Sequence, residues 1–472
     1  MRARMLLVVL MLAGLSVRLP GIDQSIVRFH PTRHYRSAVL ARACYYDHTT
    51  ARPEWAQRVA DANREMQQAG EPPVMEWLAC GAYLLAGRED VMIPRVAAVI
   101  IWVSGAIPLW LLTRRLASPA LAPVAVTLYL FLPYGIVASR NFQPDQLMTV
   151  ASLWAIHALV RHHDLRRRNT LFAAAALIGV AGLIKPMSVF LTAPVALVTA
   201  GRFSVLALGM LAPLLYYGYE AVAGSLVRDQ MRMRFEPHMI ATAFFWEGLA
   251  KMVSRVETLP LFALALSATV FAPDRIARRI LAALFAGYLA FAVVFTYHMP
   301  THDYYHLPYL AVVALGVAML LCRAGKLLRP PMVYGACAVI AIAGSISVWP
   351  QLKLNDAPTL SRIYQEIGDL ASHDTKALFL DTEYGFALMY HGELSGDSWP
   401  NQDDLAAEAF DGRPAVDAET RFDRDYADWK PTYLIATDLA SFEASPDLQR
   451  LLDRRATPVR ITNLYRVYRF HP

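Results

Sequence analysis

The sequence predicts a polytopic α-helical membrane protein of about eleven transmembrane helices with a small α/β domain at its C-terminal end. Three observations predict it. Of 472 residues, 56% are hydrophobic and only 18% carry charge, a skewed composition for a soluble chain of this size. Apolar stretches recur between short charged punctuation, several approaching the ~20 residues that cross a ~30 Å hydrocarbon core. After Val348-Trp349-Pro350 the composition turns acidic and polar.

The candidate spans are 5–19, 94–113, 119–138, 147–160, 170–184, 187–201, 203–219, 258–272, 279–297, 307–322 and 332–349. Lys and Arg in short loops resist translocation, so their distribution sets orientation. Alternate connections carry Arg2 and Arg4, Arg114 and Arg115, Arg161 and Arg166–Arg168, Arg202, Arg275 with Arg278 and Arg279, and Arg323 with Lys326 and Arg329. The same connections hold only Asp164 and Asp274 as acids. This bias predicts an inner-membrane protein with a cytoplasmic N-terminus and, after eleven crossings, a periplasmic C-terminal domain. Met1–Leu15 also has the basic and apolar regions of a signal peptide, but no convincing small-residue cleavage site precedes Arg18.

Two domains follow: a membrane module over 1–350, including a long outer loop at about 20–92, and a soluble domain over 351–472. In the latter, apolar runs at Ala377–Leu380, Tyr433–Ala436 and Tyr465–Phe470 read as strands, and Leu360–Ala371 as a helix. Asp381, Glu383 and Tyr384 then fall where a strand end presents polar groups. The net charge of +6 reflects the basic loops, so no nucleic-acid partner is expected. Of the four cysteines, Cys44 and Cys80 both lie in the outer loop, yet their spacing does not require pairing, and small buried apolar residues is the favoured reading.

Ionisable groups gather on the outer side. Loop one holds Arg28-Phe29-His30-Pro31-Thr32-Arg33-His34-Tyr35-Arg36; the 139–146 loop holds Arg140, Asn141 and Asp145; Lys185 sits at an apolar boundary. Arg228, Arg232 and Arg234 fall near one helical face, where they either snorkel to lipid head groups or contact substrate. Membrane-depth charges are costly, so Asp145 and Lys185 in tight turns read as functional. Many cations with few carboxylates suit phosphate oxygens, hence a lipid-phosphate ligand whose apolar tail lies among the helices. His298, His302 and His306 recur every fourth residue; three imidazoles suit a divalent metal, but Pro300 interrupts the helix, and hydrogen-bonding histidines without a cofactor are the expectation. No phosphate-binding glycine loop or nucleophile elbow occurs.

Short motifs then carry a resemblance. Glu71-Pro72-Pro73-Val74-Met75-Glu76-Trp77-Leu78 with Gly81-Ala82-Tyr83, Pro94-Arg95-Val96, Arg140 through Asp145, Gly182-Leu183-Ile184-Lys185-Pro186, and His302-Asp303-Tyr304-Tyr305-His306-Leu307-Pro308 occur in order over about residues 5–325. They resemble the GT-C class of membrane glycosyltransferases, in the branch with protein O-mannosyltransferases and the lipid A aminoarabinose transferase. The resemblance implies an inverting transfer of a sugar from a polyprenyl-phosphate-linked donor to a lipid, glycan or protein acceptor. It maps one catalytic carboxylate onto Asp145 and implies a general base in loop one. There the chain shows His30 and His34 where that family has acids, with Asp23 the nearest upstream carboxylate; Asp23, His30 and His34 remain alternatives. Arg33, Arg36, Glu71, Arg140, Lys185, Arg228, Arg232, His302 and Tyr305 are the expected substrate-binding set. A transporter of an anionic lipid-linked substrate, or a non-catalytic subunit on the same scaffold, is the alternative.

Overall fold

The structure, a computed structural model, describes residues 2–24, 29–49, 52–66, 70–200, 203–223, 235–324, 329–353, 357–410 and 412–472. Arg228, Arg232 and Arg234 therefore lie outside the described residues. The chain divides into two compact units: Met1–Ile22, Ala69–Met75 and Pro94–Leu354 form one, and Asp23–Gln68, Glu76–Ile93 and Asn355–Pro472 form the other. Most of loop one thus shares a unit with the C-terminal residues, whereas the sequence-level boundary at 350 groups it with the spans.

The first unit is helical. Each of the eleven apolar stretches is helical over most of its described length, from Arg2–Ser16 to Pro330–Lys353. By length and apolarity four helices among the described residues suffice to cross a membrane: Met92–Leu116, Phe203–Val222, Arg275–Val294 and Pro330–Lys353. A fifth arises if Ala243–Val256 and Leu259–Phe271, bent by 99° at Glu257–Thr258, count as one broken span. Thr258 adopts φ +66° at that corner. The helix Ala243–Val256 is not apparent in the sequence, because Glu247, Lys251 and Arg255 interrupt its apolar pattern.

Peripheral helices show what faces the surroundings. Phe203, Leu208, Leu211, Leu214 and Leu215 on one, and Met332, Val339, Ile342 and Ile346 on another, are exposed, the inverse of a soluble helix. Close approach elsewhere depends on glycine. A methyl group at Gly344 would collide with the Phe131 carbonyl, and one at Gly287 with that of Phe190. Small residues at such crossings let helix backbones pack without a hydrophobic driving force.

Three of the basic connections meet. Arg115, in the last turn of Met92–Leu116, pairs with Asp164 at 2.7 Å and Asp274 at 3.1 Å, joining three connections predicted to share one face.

The second unit carries a five-stranded sheet: β1 (Ala377–Leu380), β2 (Gly396–Ser398), β3 (Tyr433–Ala436), β4 (Ala456–Ile461) and β5 (Arg466–Phe470). Its order is β2-β1-β3-β5-β4, with β1 parallel to β2 and β3 and the remaining pairs antiparallel. β1 and β3 have the predicted limits and are buried at every position, as central strands flanked on both faces should be. The core beneath joins Leu378, Leu434, Trp399, Phe422, Phe442 and Leu451. From loop one come the helices Pro31–Asp47, Glu54–Met66 and Val74–Ala86. Cys44 and Cys80 form a disulfide between the first and third of these, which corrects the reading of both as unpaired apolar residues. Spacing alone could not show it, since the pairing depends on two helices meeting.

Candidate functional site

In the first unit, two local rules place one charge pair. Pro144 starts the helix Asp145–Leu165, so Asp145 sits in the first turn, where the exposed N–H groups favour an anion. The helix Arg168–Ile184 ends at Lys185, held extended (φ −160°, ψ 122°) by the proline that follows. Lys185 thereby lies beyond a C-terminus, where carbonyls favour a cation. The two charges meet: Lys185 Nζ lies 2.7 Å from Asp145 Oδ1, with the side chains 1% and 3% exposed. The ammonium also sits over the rings of Tyr304 and Tyr305, at 5.3 and 5.2 Å, within the range of a cation–π attraction. A small cavity beside the pair is lined by Asp145, Lys185, Met148, Phe291, Tyr305 and Tyr309.

Isolating two charges from water costs several kcal/mol per ion unless geometry and extra partners compensate. The pair therefore marks either a compensated structural lock or a place where substrate charge is exchanged. The surrounding polar network is built of other residues. Arg140 turns its guanidinium to the Pro20 carbonyl at 2.7 Å, and Arg95 donates to the Arg140 carbonyl. Fully buried Arg18 donates to Ser139 Oγ and to the Gly14 and Leu130 carbonyls. Asp303 accepts from the Tyr134 hydroxyl at 2.7 Å and pairs with Arg255 at 3.1 Å. Glu257, at the 99° corner, is fully buried with no hydrogen-bond partner for either oxygen among the described residues. The sequence marks neither Arg18 nor Arg255 as part of this network, because their partners are remote in the chain.

Among the expected site residues of this unit, Asp145, Lys185 and Tyr305 come together. Glu71 is half-buried, within electrostatic reach of Tyr216. The late histidines do not converge: His306 bonds the Met299 carbonyl and the Tyr288 hydroxyl, while His302 stacks on His298 and bonds Thr301. Among the described residues the single grouping with metal-ligand geometry is Cys44, His48 and Cys80, and its two sulfurs are joined to each other.

In the second unit, His30 (φ 48°) precedes Pro31–Asp47, whose first half carries Arg33, His34 and Arg36. His34 is fully buried, Arg33 and Arg36 are half-buried, and Asp23 is an exposed turn residue. Farther along the helix, Arg42 grips Glu89 through two nitrogens at 2.9 and 3.0 Å and donates to the Tyr390 carbonyl at 2.5 Å. The chain after β1 folds onto the same helix. Glu383 Oε2 accepts from the Thr32 backbone N–H at 3.2 Å and from the Thr32 hydroxyl. Burial pushes the Glu383 carboxyl above the usual glutamate range, despite the hydrogen bonds from Thr32. Asp404, after β2, is raised for the same reason. His391 Nε2 shares a 2.9 Å hydrogen bond with Tyr35, and burial lowers it to about 3, with Arg42 adding to the effect.

Residues 70–217 match the model of the dolichyl-phosphate-mannose-protein mannosyltransferase family, a stretch that contains both Asp145 and Lys185. The whole chain superimposes on solved structures. ArnT from Cupriavidus metallidurans matches in its apo state with a TM-score of 0.63 at 14% identity, over 99% of this chain and 98% of that one. ArnT bound to undecaprenyl phosphate matches with a TM-score of 0.64 at 14% identity, over 98% and 97%. The Archaeoglobus fulgidus oligosaccharyltransferase, crystallised with zinc and sulfate, matches with a TM-score of 0.55 at 13% identity, over 96% of this chain and 71% of that one. The fold is that of the GT-C glycosyltransferases. No curated protein matches by sequence. The GT-C resemblance drawn from short motifs thus holds for the fold.

Proposed function

We propose that this protein is an inverting membrane glycosyltransferase that moves a sugar from a polyprenyl-phosphate-linked donor to an acceptor hydroxyl or phosphate on a lipid, glycan or protein. The observation that carries it is the buried Asp145–Lys185 pair, its ammonium over the rings of Tyr304 and Tyr305. An ammonium held at a cavity by one carboxylate and two ring faces is suited to exchange that carboxylate for a phosphate oxygen. As the donor's anomeric C–O bond breaks, negative charge grows on the departing phosphate, and a prepositioned cation stabilises it without reorganisation. Asp145, released in part from Lys185, then faces the positive charge developing on the sugar. ArnT has been solved with undecaprenyl phosphate and the archaeal oligosaccharyltransferase with dolichol phosphate, which supports a lipid phosphate as ligand class.

The cationic work falls to Lys185 in this reading, and no cofactor is assigned. Arg140 is proposed to widen the electropositive field around the donor. The second unit is proposed to lie on the periplasmic side of an inner membrane, a reading that the Cys44–Cys80 disulfide supports, since such bonds persist in oxidising compartments. The test is donor cleavage by the purified protein in vesicles supplied with undecaprenyl phosphate bearing radiolabelled mannose, glucose, galactose or aminoarabinose. Release of free undecaprenyl phosphate, lost in Asp145→Asn, is expected. Label carried across the vesicle intact, with Asp145→Asn still active, would instead identify a transporter.

A further inference from the structure

Two cysteines and a histidine form a constellation within the second unit that the transferase reading does not use. Cys44 and His48 stand four residues apart at the C-terminal end of Pro31–Asp47, so they share one face of that helix. Cys80 belongs to the buried face of Val74–Ala86, with Ala79 and Tyr83, and its Cα lies 5.9 Å from that of Cys44. Both sulfurs and one ring nitrogen of His48 lie within 4.8 Å of one another. A tetrahedral zinc ion, with bonds of about 2.0–2.3 Å, spaces such ligand atoms about 3.6–3.8 Å apart. Small χ1 rotations reach that spacing once the sulfurs are free.

The histidine is held as a ligand would be. Its Nδ1 lies 2.8 Å from the Cys44 carbonyl. A carbonyl only accepts, so Nδ1 carries the hydrogen and Nε2 keeps its lone pair. Metal-ligating histidines show the same arrangement, the other ring nitrogen donating to a carbonyl or carboxylate. The neighbouring acid is taken: Asp47 pairs with Arg64 at 2.7 Å and accepts from Gln57. Cys80 is buried, Cys44 half-buried and His48 exposed, so the group opens to solvent on the His48 side.

We propose that Cys44, His48 and Cys80 form a redox-gated metal site, a disulfide when oxidised and a two-thiolate, one-imidazole site for a zinc-class divalent cation when reduced. A protein dithiol supplies the two electrons and two protons. One of its thiolates attacks the accessible Cys44 sulfur, and Cys80 leaves as thiolate. The second thiol of the reductant then displaces Cys44 and closes the reductant's own disulfide. The cation next replaces the two thiol protons, which are released, and the two thiolates balance its charge. Sulfur with imidazole selects zinc over magnesium or calcium, and water completes the fourth position. Pro31–Asp47 and Val74–Ala86 thus stay linked in both states, by a covalent bond in one and by coordination in the other. This site is independent of the transferase reading.

The experiment uses the full chain in detergent, in a Cys322→Ser/Cys337→Ser background that leaves only these two cysteines. The protein is reduced with dithiothreitol, freed of it under argon, and titrated with Co²⁺, whose thiolate charge-transfer absorption reports sulfur ligation. One ion per reduced chain is expected and none in the oxidised chain, with displacement by Zn²⁺ but not by Mg²⁺. His48→Ala keeps the disulfide and should weaken Co²⁺ binding by at least about 10–100-fold, the loss that follows removal of a mere supporting partner. Zn²⁺ should also return the reduced second unit to the protease resistance of the oxidised form. Reduced protein without the absorption, equal affinity in His48→Ala, or zinc-loaded protein cleaved as fast as the metal-free form overturns the proposal and leaves the transferase reading untouched.

Discussion

Removing one member of the Asp145–Lys185 pair should cost more than removing both. In Asp145→Asn, an ammonium 1% exposed loses its countercharge; in Lys185→Met, a carboxylate 3% exposed does. Leaving a buried charge unpaired costs about 3–5 kcal/mol, whereas replacing a whole buried pair by neutral groups is often neutral or stabilising by about 1–4 kcal/mol. The aromatic floor of Tyr304 and Tyr305 holds the Lys185 cation in the first variant, and the start of Asp145–Leu165 favours the carboxylate in the second, so both singles belong near the lower end. The double variant Asp145→Asn/Lys185→Met should then fall short of the summed singles by at least about 3 kcal/mol. Equilibrium unfolding of the four proteins in mixed micelles measures this, and donor cleavage is read on the same samples. The double variant should be stable and inactive. Strictly additive destabilisation would show that the pair does not interact as the 2.7 Å contact requires; a double variant that still cleaves donor would remove the pair from the chemistry.

Three further outcomes test other parts of the structure. The Cys44–Cys80 bond spans 36 residues, and closing such a loop in the unfolded chain is worth about 4 kcal/mol; Cys44→Ser or mild reduction should expose the second unit to limited proteolysis, and unchanged resistance would count against the crosslink. His391 lies at about 3 against an ordinary 6.5, so the fold favours its neutral form. The stability it contributes is present above pH 6.5 and is lost as pH falls toward 3, at about 1.4 kcal/mol per pH unit at most; His391→Gln should flatten that slope in unfolding measured from pH 7.5 to 4.5. Gly344→Leu drives a side chain into the Phe131 carbonyl, so a loss of about 1–3 kcal/mol is expected in thermal unfolding in detergent, against little change for leucine at the open Gly335 of the same helix.

Legibility varied with how local each signal is. β1 and β3 were readable because short, fully buried apolar runs between turns leave few alternatives. β4 was not, since every residue after its first is exposed and an edge strand needs no apolar alternation. β2 is three residues of Gly-Asp-Ser, whose pairing with β1 exists only in the sheet. The strand-end position of Asp381, Glu383 and Tyr384 was likewise legible, because it depends only on where β1 stops. That Glu383 reaches Thr32, 351 residues away, was not.

The sequence by itself determined the helical membrane class, the alternation of basic connections and the two turns that carry Asp145 and Lys185. Each of these follows from composition, from charge placement or from a proline that ends a helix, all properties of neighbouring residues. Only the tertiary structure decided that those two charges pair, that two loop-one cysteines join, and that most of loop one belongs to the unit with the sheet. Such contacts arise when helices and strands far apart in the chain bury shared surfaces, and no spacing within the sequence encodes the distance at which they meet.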